Sequence, residues 1–193
     1  MRHIRPAIVL IVFFTLLTGL AFPLLFVAGA GAVAPGLAGG SLIRHGDTVI
    51  GSALLGQNFT ADKYLHGRPS ATSETDAKGN SVSMPYDANS SGASNLSPTS
   101  KALVDRVTGD IKTAGGGTVP GDMVTTSASG LDPHVSPETA HLQVARIAAA
   151  RKLPVEQVQA TVDANTYGRL VGLIGEPRVN VLQTNIALDA LTP

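Results

Sequence analysis

The sequence predicts an α+β fold, in which one N-terminal transmembrane helix precedes a single extracytoplasmic mixed domain. Three observations lead there. No charged residue occurs between Arg5 and Arg44, and most of that stretch is apolar. The strand-like segments come ahead of the helix-patterned ones instead of alternating with them, which disfavours a regular α/β sheet. The 193 residues, less the apolar stretch, make one domain of ordinary size that can bury a core without staples.

The apolar stretch sets the organisation. Ala7 to Val27 would span about 31 Å as a helix. Fifteen of its positions are Ile, Val, Leu or Phe, each favouring insertion at the helix centre by roughly 0.3 to 0.6 kcal/mol. Gly19 and Pro23 are tolerated in a bilayer helix where the freed backbone groups find partners. Thr15 and Gly19, small and four apart, would let a second helix approach closely. We therefore expect a cytoplasmic N-terminus over residues 1–6, a transmembrane helix over 7–33, a flexible Gly-rich linker over 34–46 and the domain over 47–193. Arg2 and Arg5 precede the span and nothing basic follows it before Arg44, so the bias of basic residues toward the cytoplasm puts everything after the span outside. The competing reading is a secretory signal cleaved at Ala28-Gly29-Ala30 or Ala32-Val33-Ala34, which would release an exported binding protein or hydrolase. Signal cores are usually 7–15 apolar residues, shorter than this one.

Composition removes several functional classes. The formal net charge is +0 with no basic run, so there is no electrostatic case for nucleic acid or an anionic surface. The absence of cysteine rules out disulfides, thiolate chemistry and cysteine-type zinc sites. Aromatics reach only 4% and Trp is missing, which leaves little for stacking platforms. The 21 glycines and 12 prolines fall largely in the connections.

Within the domain, Asp47 to Phe59 (DTVIGSALLGQNF) reads as one or two short strands broken at Gly51 and Gly56. Tyr64 to Ala71 (YLHGRPSA) turns at Gly67 and Pro69. Residues 72–97 have almost no large apolar side chain and read as a long polar loop. Ser97-Pro98 is a helix start, with Ser as cap and Pro behind it. Leu103, Val104, Val107 and Ile111 follow at helical spacing up to the stop at Gly115-Gly116-Gly117. Thr118 to Thr126 is β-leaning, and SASGLDPH after it is a tight turn. Ser136-Pro137-Glu138 opens a second helix with Ala140, Val144, Ile147 and Ala148 on one face, closing on Arg151 and Lys152. A third runs from Pro154 to about Thr166 with Val155, Val158 and Val162 inward. Leu170 to Ile174 (LVGLI) reads as a strand. Val179 to Leu191 is a strand entering a helix, or a helix throughout.

Catalytic patterns are weak. Ser127, Ser129, Asp132 and His134 share one octapeptide, but neither serine sits in a G-x-S-x-G elbow, and their spacing is that of a turn rather than of an assembled triad. The glycine runs lack both the P-loop and the dinucleotide patterns. The histidines (His3, His45, His66, His134, His141) are dispersed, without a metal-ligand spacing, and no metal site is indicated. Asn58, Asn89 and Asn95 begin glycosylation triplets of the kind that arise by chance in Ser/Thr-rich chains.

Five blocks carry a resemblance: GSALLGQNF (Gly51 to Phe59), YLHGRPSA (Tyr64 to Ala71), SGASNLSPTS (Ser91 to Ser100), SASGLDPHVSPETAHLQVARIAAAR (Ser127 to Arg151) and GEPRVNVLQTNIALD (Gly175 to Asp189). Together with the single N-terminal span, they resemble the C subunit of the Kdp-type potassium-transporting P-type ATPase over nearly the whole chain. Leu65 replaces a frequent aromatic and Gln183 a frequent acidic residue. The resemblance implies a plasma (inner) membrane protein of single-pass topology and three partners: a channel-like potassium-binding subunit, a P-type ATPase subunit that hydrolyses ATP, and a small single-span subunit. ATP and potassium are then handled by the complex, and this chain is an accessory subunit with no catalytic residue, metal or cofactor of its own. Two roles are implied, an assembly and stabilising subunit or a catalytic chaperone that raises ATP affinity. The second carries a transient ATP contact at Gln143, which the topology above puts out of reach of cytosolic nucleotide. The interface or fold-locking candidates in the matching blocks are Gln57, Arg68, Ser70, Asn95, Asp132, His134, Gln143, Arg146, Glu176, Arg178 and Asn180. For Arg146 and Glu176 a structural ion pair is the specific expectation.

Overall fold

A computed structural model describes residues 2–191 as mixed α+β. The chain divides between Ser52 and Ala53 into two compact units.

In the first unit, α1 (Ile4–Leu16) continues through a wider turn (Leu17–Ala21) into α2 (Phe22–Val33). The 30 residues from Ile4 to Val33 are exposed along their length and long and apolar enough to cross a membrane. Pro23 has no N–H to give to Gly19. Just before it the helix loosens, with the Phe22 amide bonding Leu17 O in the i→i+5 manner of a π turn. The segment read as a flexible linker is structured. It holds the single turn α3 (Pro35–Ala38) and strand β1 (Leu42–His45), which pairs antiparallel with β2 (Thr48–Ser52). Left-handed Gly40, Ser41 and Gly46 make the reversals that pack these pieces together. The strand expected as far as Phe59 stops at Ser52.

The second unit is built on α6 (Pro137–Arg151), α7 (Val155–Ala164) and α8 (Val181–Asp189), with a small antiparallel sheet in the order β5 (His134–Val135), β7 (Arg178–Asn180), β6 (Thr166–Tyr167). Ser136 caps α6, its hydroxyl accepting from the Thr139 amide at 3.1 Å. The helix turns its Ala140, Val144, Ile147 and Ala148 stripe into the core. Lys152, left-handed, ends it. Val158 and Val162 of α7 and Val179, Val181 and Leu188 complete the apolar cluster. Val155, on the same stripe but at the first position of α7, is 49% exposed. Residues 179–191 take the strand-then-helix alternative.

Four other expectations change. The polar segment 72–97 is partly ordered. Strands β3 (Ser73–Thr75) and β4 (Ser81–Ser83) form a hairpin closed by Asp76, whose Oδ1 accepts from the Lys78 and Asn80 amides at 2.8 Å. Helix α4 (Lys101–Thr113) begins three residues late, because Ser97 to Ser100 close on themselves, the Ser100 amide bonding Ser97 O at 2.9 Å. Thr118 to Thr126 makes the short helix α5 (Gly121–Val124) rather than a strand. LVGLI is no strand. Val171 and Gly172 are both left-handed and fold Leu170 back onto Ile174.

Gly130 combines a left-handed backbone with a close approach. Its φ is +68°, and a Cβ there would lie 2.8 Å from Gly92 O. Gly130→Ala should lower stability by about 1–3 kcal/mol, whereas Gly121→Ala, in open space, should change it by less than about 1 kcal/mol. Thermal unfolding of the full chain in detergent checks both.

Candidate functional site

The residues flagged by sequence fall into two polar centres and a few scattered positions, and a single irregular segment, residues 62–72, runs through both centres. That segment has no ladder partner, so its peptide groups need side chains. Asn185 of α8 accepts from Leu65 N at 2.7 Å and donates to Leu65 O at 3.0 Å. Gln143 of α6 does the same for the next residue, accepting from His66 N at 2.9 Å and donating to His66 O at 3.1 Å. Gln143 also donates to Thr139 O and accepts from Arg146, which uses both donors and both acceptor positions of its amide. Arg146 goes on to Asp62 O and Tyr64 O. Arg151, whose side chain is 2% exposed, donates to Lys63 O, Leu188 O and Asp189 and lies over the Tyr64 ring. Leu65 is fully buried between these clamps. A cleft of about 480 Å³ passes Asp62, His66, Gln143 and Arg146. Burial pulls the His66 imidazole below its ordinary 6.5, partly offset by its bond to Ala61 O and reinforced by nearby Arg146.

The second centre surrounds Asp132. Arg68 Nη1 donates to Asp132 Oδ2 at 3.0 Å, and its other amino group reaches the carbonyls of Thr125 and Thr126. Asp132 Oδ1 accepts from the His134 amide at 3.0 Å. Burial opposes ionisation of Asp132, but the hydrogen bonds from His134 and the Arg68 guanidinium outweigh it and hold the carboxyl below its ordinary range. Tyr86 donates to Arg68 O at 2.7 Å, and burial, with Asp132 nearby, pushes its phenol up to about 12. The Tyr86 ring lies so close to Gly56 and Gly67 that a Cβ at either would collide with it. Ser70 donates to Gly130 O and accepts from the Tyr86 amide.

A cavity of about 440 Å³ gathers Arg68, Asp132 and His134 with Glu176 and Arg178. Neither of the last two is in the bonded network. Glu176 pairs with Arg169 at 2.7 Å, and Arg178 lies over the Tyr167 ring. The ion-pair expectation resolves to separate partners: Arg146 faces Asp62 at 3.9 Å, Glu176 faces Arg169. Asn180 caps α8, accepting from Gln183 N and donating to Ala53 O. Asn95 is exposed and left-handed, bonding Ala93 O, and stands apart; Gln57 is half-buried. Among the described residues no three His, Asp or Glu side chains come together as a metal cluster.

The family described as K+-transporting ATPase, c chain, matches residues 4–190. The chain belongs to the KdpC family. It is 55% identical over 195 residues to the potassium-transporting ATPase KdpC subunit of Bradyrhizobium diazoefficiens, covering 98% of this chain and 97% of that one. The protein of that name from Rhodopseudomonas palustris BisB18 is also 55% identical, over 98% of each chain. The one from Methylobacterium nodulans is 53% identical over 99% of this chain and 98% of its own. The block residues of this KdpC-family chain therefore include its backbone clamps.

Sequence reading missed Asn185, Arg151 and Asp122. Asp122 accepts from Ser136 N at 2.6 Å, from the Ser136 hydroxyl and from Thr139 Oγ1, fixing the α6 start. The available signal was an uncommon polar residue on an apolar stripe: Asn185 lies three positions before Leu188 in α8. Asn185→Leu should cost about 2–6 kcal/mol, because two buried peptide groups lose their partners at about 1–3 kcal/mol each. Urea unfolding measures it. Acid should also weaken the fold. Below pH 6.5 the unfolded chain takes a proton at His66 that the folded state resists, until the pH passes the lower folded value, and Asp132 adds a loss of the same sign below 3.8. His66→Gln should flatten the first of these slopes in melts run from pH 6.5 downward.

Proposed function

We propose that this chain is an accessory, non-catalytic subunit of a high-affinity ATP-driven potassium uptake complex, and that it works by assembling and stabilising its neighbours. The observation that carries the reading is the direction of the polar side chains. Gln143, Arg146, Arg68, Asp132, Ser70 and Asn180 are bonded to the chain's own backbone and to one another, so they shape a rigid body and are not poised around a substrate. The names of the relatives supply the complex. Its other chains in this reading are the channel-like potassium-binding subunit, the P-type ATPase subunit and the small single-span subunit.

The N-terminal helix anchors the chain in the plasma membrane with Arg2 and Arg5 on the cytoplasmic side, and the domain stands outside. Nucleotide then acts on the ATPase subunit alone. Gln143, with its amide fully bonded inside the fold, contributes to any rise in ATP affinity only through the assembly it stabilises.

The test is copurification from native membrane. A chain lacking residues 1–33, exported by an unrelated cleavable signal so that the domain still reaches the outside, should recover none of the pump subunits. Full recovery by that chain, or a mature N-terminus of the unaltered protein at Ala30 to Ala34 by mass spectrometry, would overturn the anchor role.

A further inference from the structure

We propose that the aliphatic tip Leu170–Ile174 is a docking knob that seats in an apolar hollow on a membrane-embedded partner subunit, a proposal that rests on the subunit reading above. Leu170, Val171, Leu173 and Ile174 are 68, 79, 82 and 64% exposed, a run of core-type side chains presented to solvent within five residues. Surface aliphatics scattered singly need no explanation, but a contiguous set marks a contact.

The tip is also held in shape. The Leu170 amide bonds Ile174 O at 2.8 Å, and the Gly172 and Leu173 amides bond Arg169 O and Leu170 O at 3.1 Å. Val171 has φ +48°, a costly conformation for a β-branched residue, which the flanking bonds maintain. A tip already shaped before contact loses little freedom on docking.

The charges at its base choose between occupants. Arg169 is paired with Glu176 at 2.7 Å and Arg178 lies over the Tyr167 ring. A surface for anionic lipid offers free cations and large aromatics beside its apolar residues. Here Glu176 neutralises Arg169, while Arg178 and the base's one aromatic, Tyr167, are engaged with each other and the Tyr167 hydroxyl with Gln183. The tip itself is wholly aliphatic, the pattern of an apolar interface centre inside a polar rim.

The chain has no cysteine, so Leu173→Cys places a single thiol at the tip. In the detergent-purified complex, N-ethylmaleimide should label it about tenfold more slowly than in the isolated full chain, and Leu173→Asp should lower partner recovery about tenfold with an unchanged melting midpoint. Val82→Asp, at an exposed position on β4, should leave recovery intact. Equal labelling in both states, or undiminished recovery with Leu173→Asp, would overturn the knob while leaving the subunit reading in place. So would protection of the thiol by phosphatidylglycerol vesicles without partners, or by self-association of the isolated chain. Failure of the unaltered chain to recover any partner would overturn the subunit reading along with it.

Discussion

Everything in the domain depends on burying a stretch of backbone that belongs to no helix or sheet. Between Asp62 and Thr72 the chain runs from the surface past α6 and α8, buried at Leu65 and Thr72 and half-buried over most of the rest. Where it is buried, an unpaired peptide group costs as much as a lost hydrogen bond. Side-chain amides do what a neighbouring strand would do. Asn185 and Gln143 each make a two-bond ring with one residue, and Arg146 and Arg151 take the carbonyls of Asp62, Lys63 and Tyr64. The clamps come from helices far along the sequence, so the order of the segment depends on α6 and α8. Ordering it in turn closes the core over Leu65.

The same logic explains the polar cluster around Asp132. Arg68 belongs to the buried segment, Asp132 to the turn before β5, and Tyr86 to the excursion 72–97. One guanidinium and one phenol tie three stretches that share no regular structure. The ion pair is half-buried, and its role is geometric: charge at such depth is retained where it fixes an arrangement, not where it adds much net energy.

What the sequence disclosed follows from this division of labour. α6, α7 and α8 were legible because their apolar stripes have a period and Ser136 is a recognisable cap. The apolar N-terminal helix was legible from the want of charge alone. The short pieces were not. LVGLI has strand composition, but Val171 and Gly172 reverse it. Thr118 to Thr126 looks extended, yet Asp122 is drawn to the start of α6 and the chain coils to deliver it. Asn185 stood out only as a polar residue on the α8 stripe, and its partner was invisible because a bond spanning 120 positions leaves no periodic trace. Of the residues flagged by blocks, those in the backbone clamps came together, while Glu176 and Arg178 only border the cavity and Asn95 lies apart.

Helix α4 contributes no buried residue. It is bounded by the Ser97–Ser100 turn on one side and three left-handed glycines on the other. A helix of 13 residues is marginal when it stands alone. One face, Leu103, Val107 and Ile111, is only half-buried, so the amide hydrogens of α4 should exchange through local opening more readily than those of the core helices. Amide exchange should therefore be slowest in the body around α6, α7 and α8 and faster along α4.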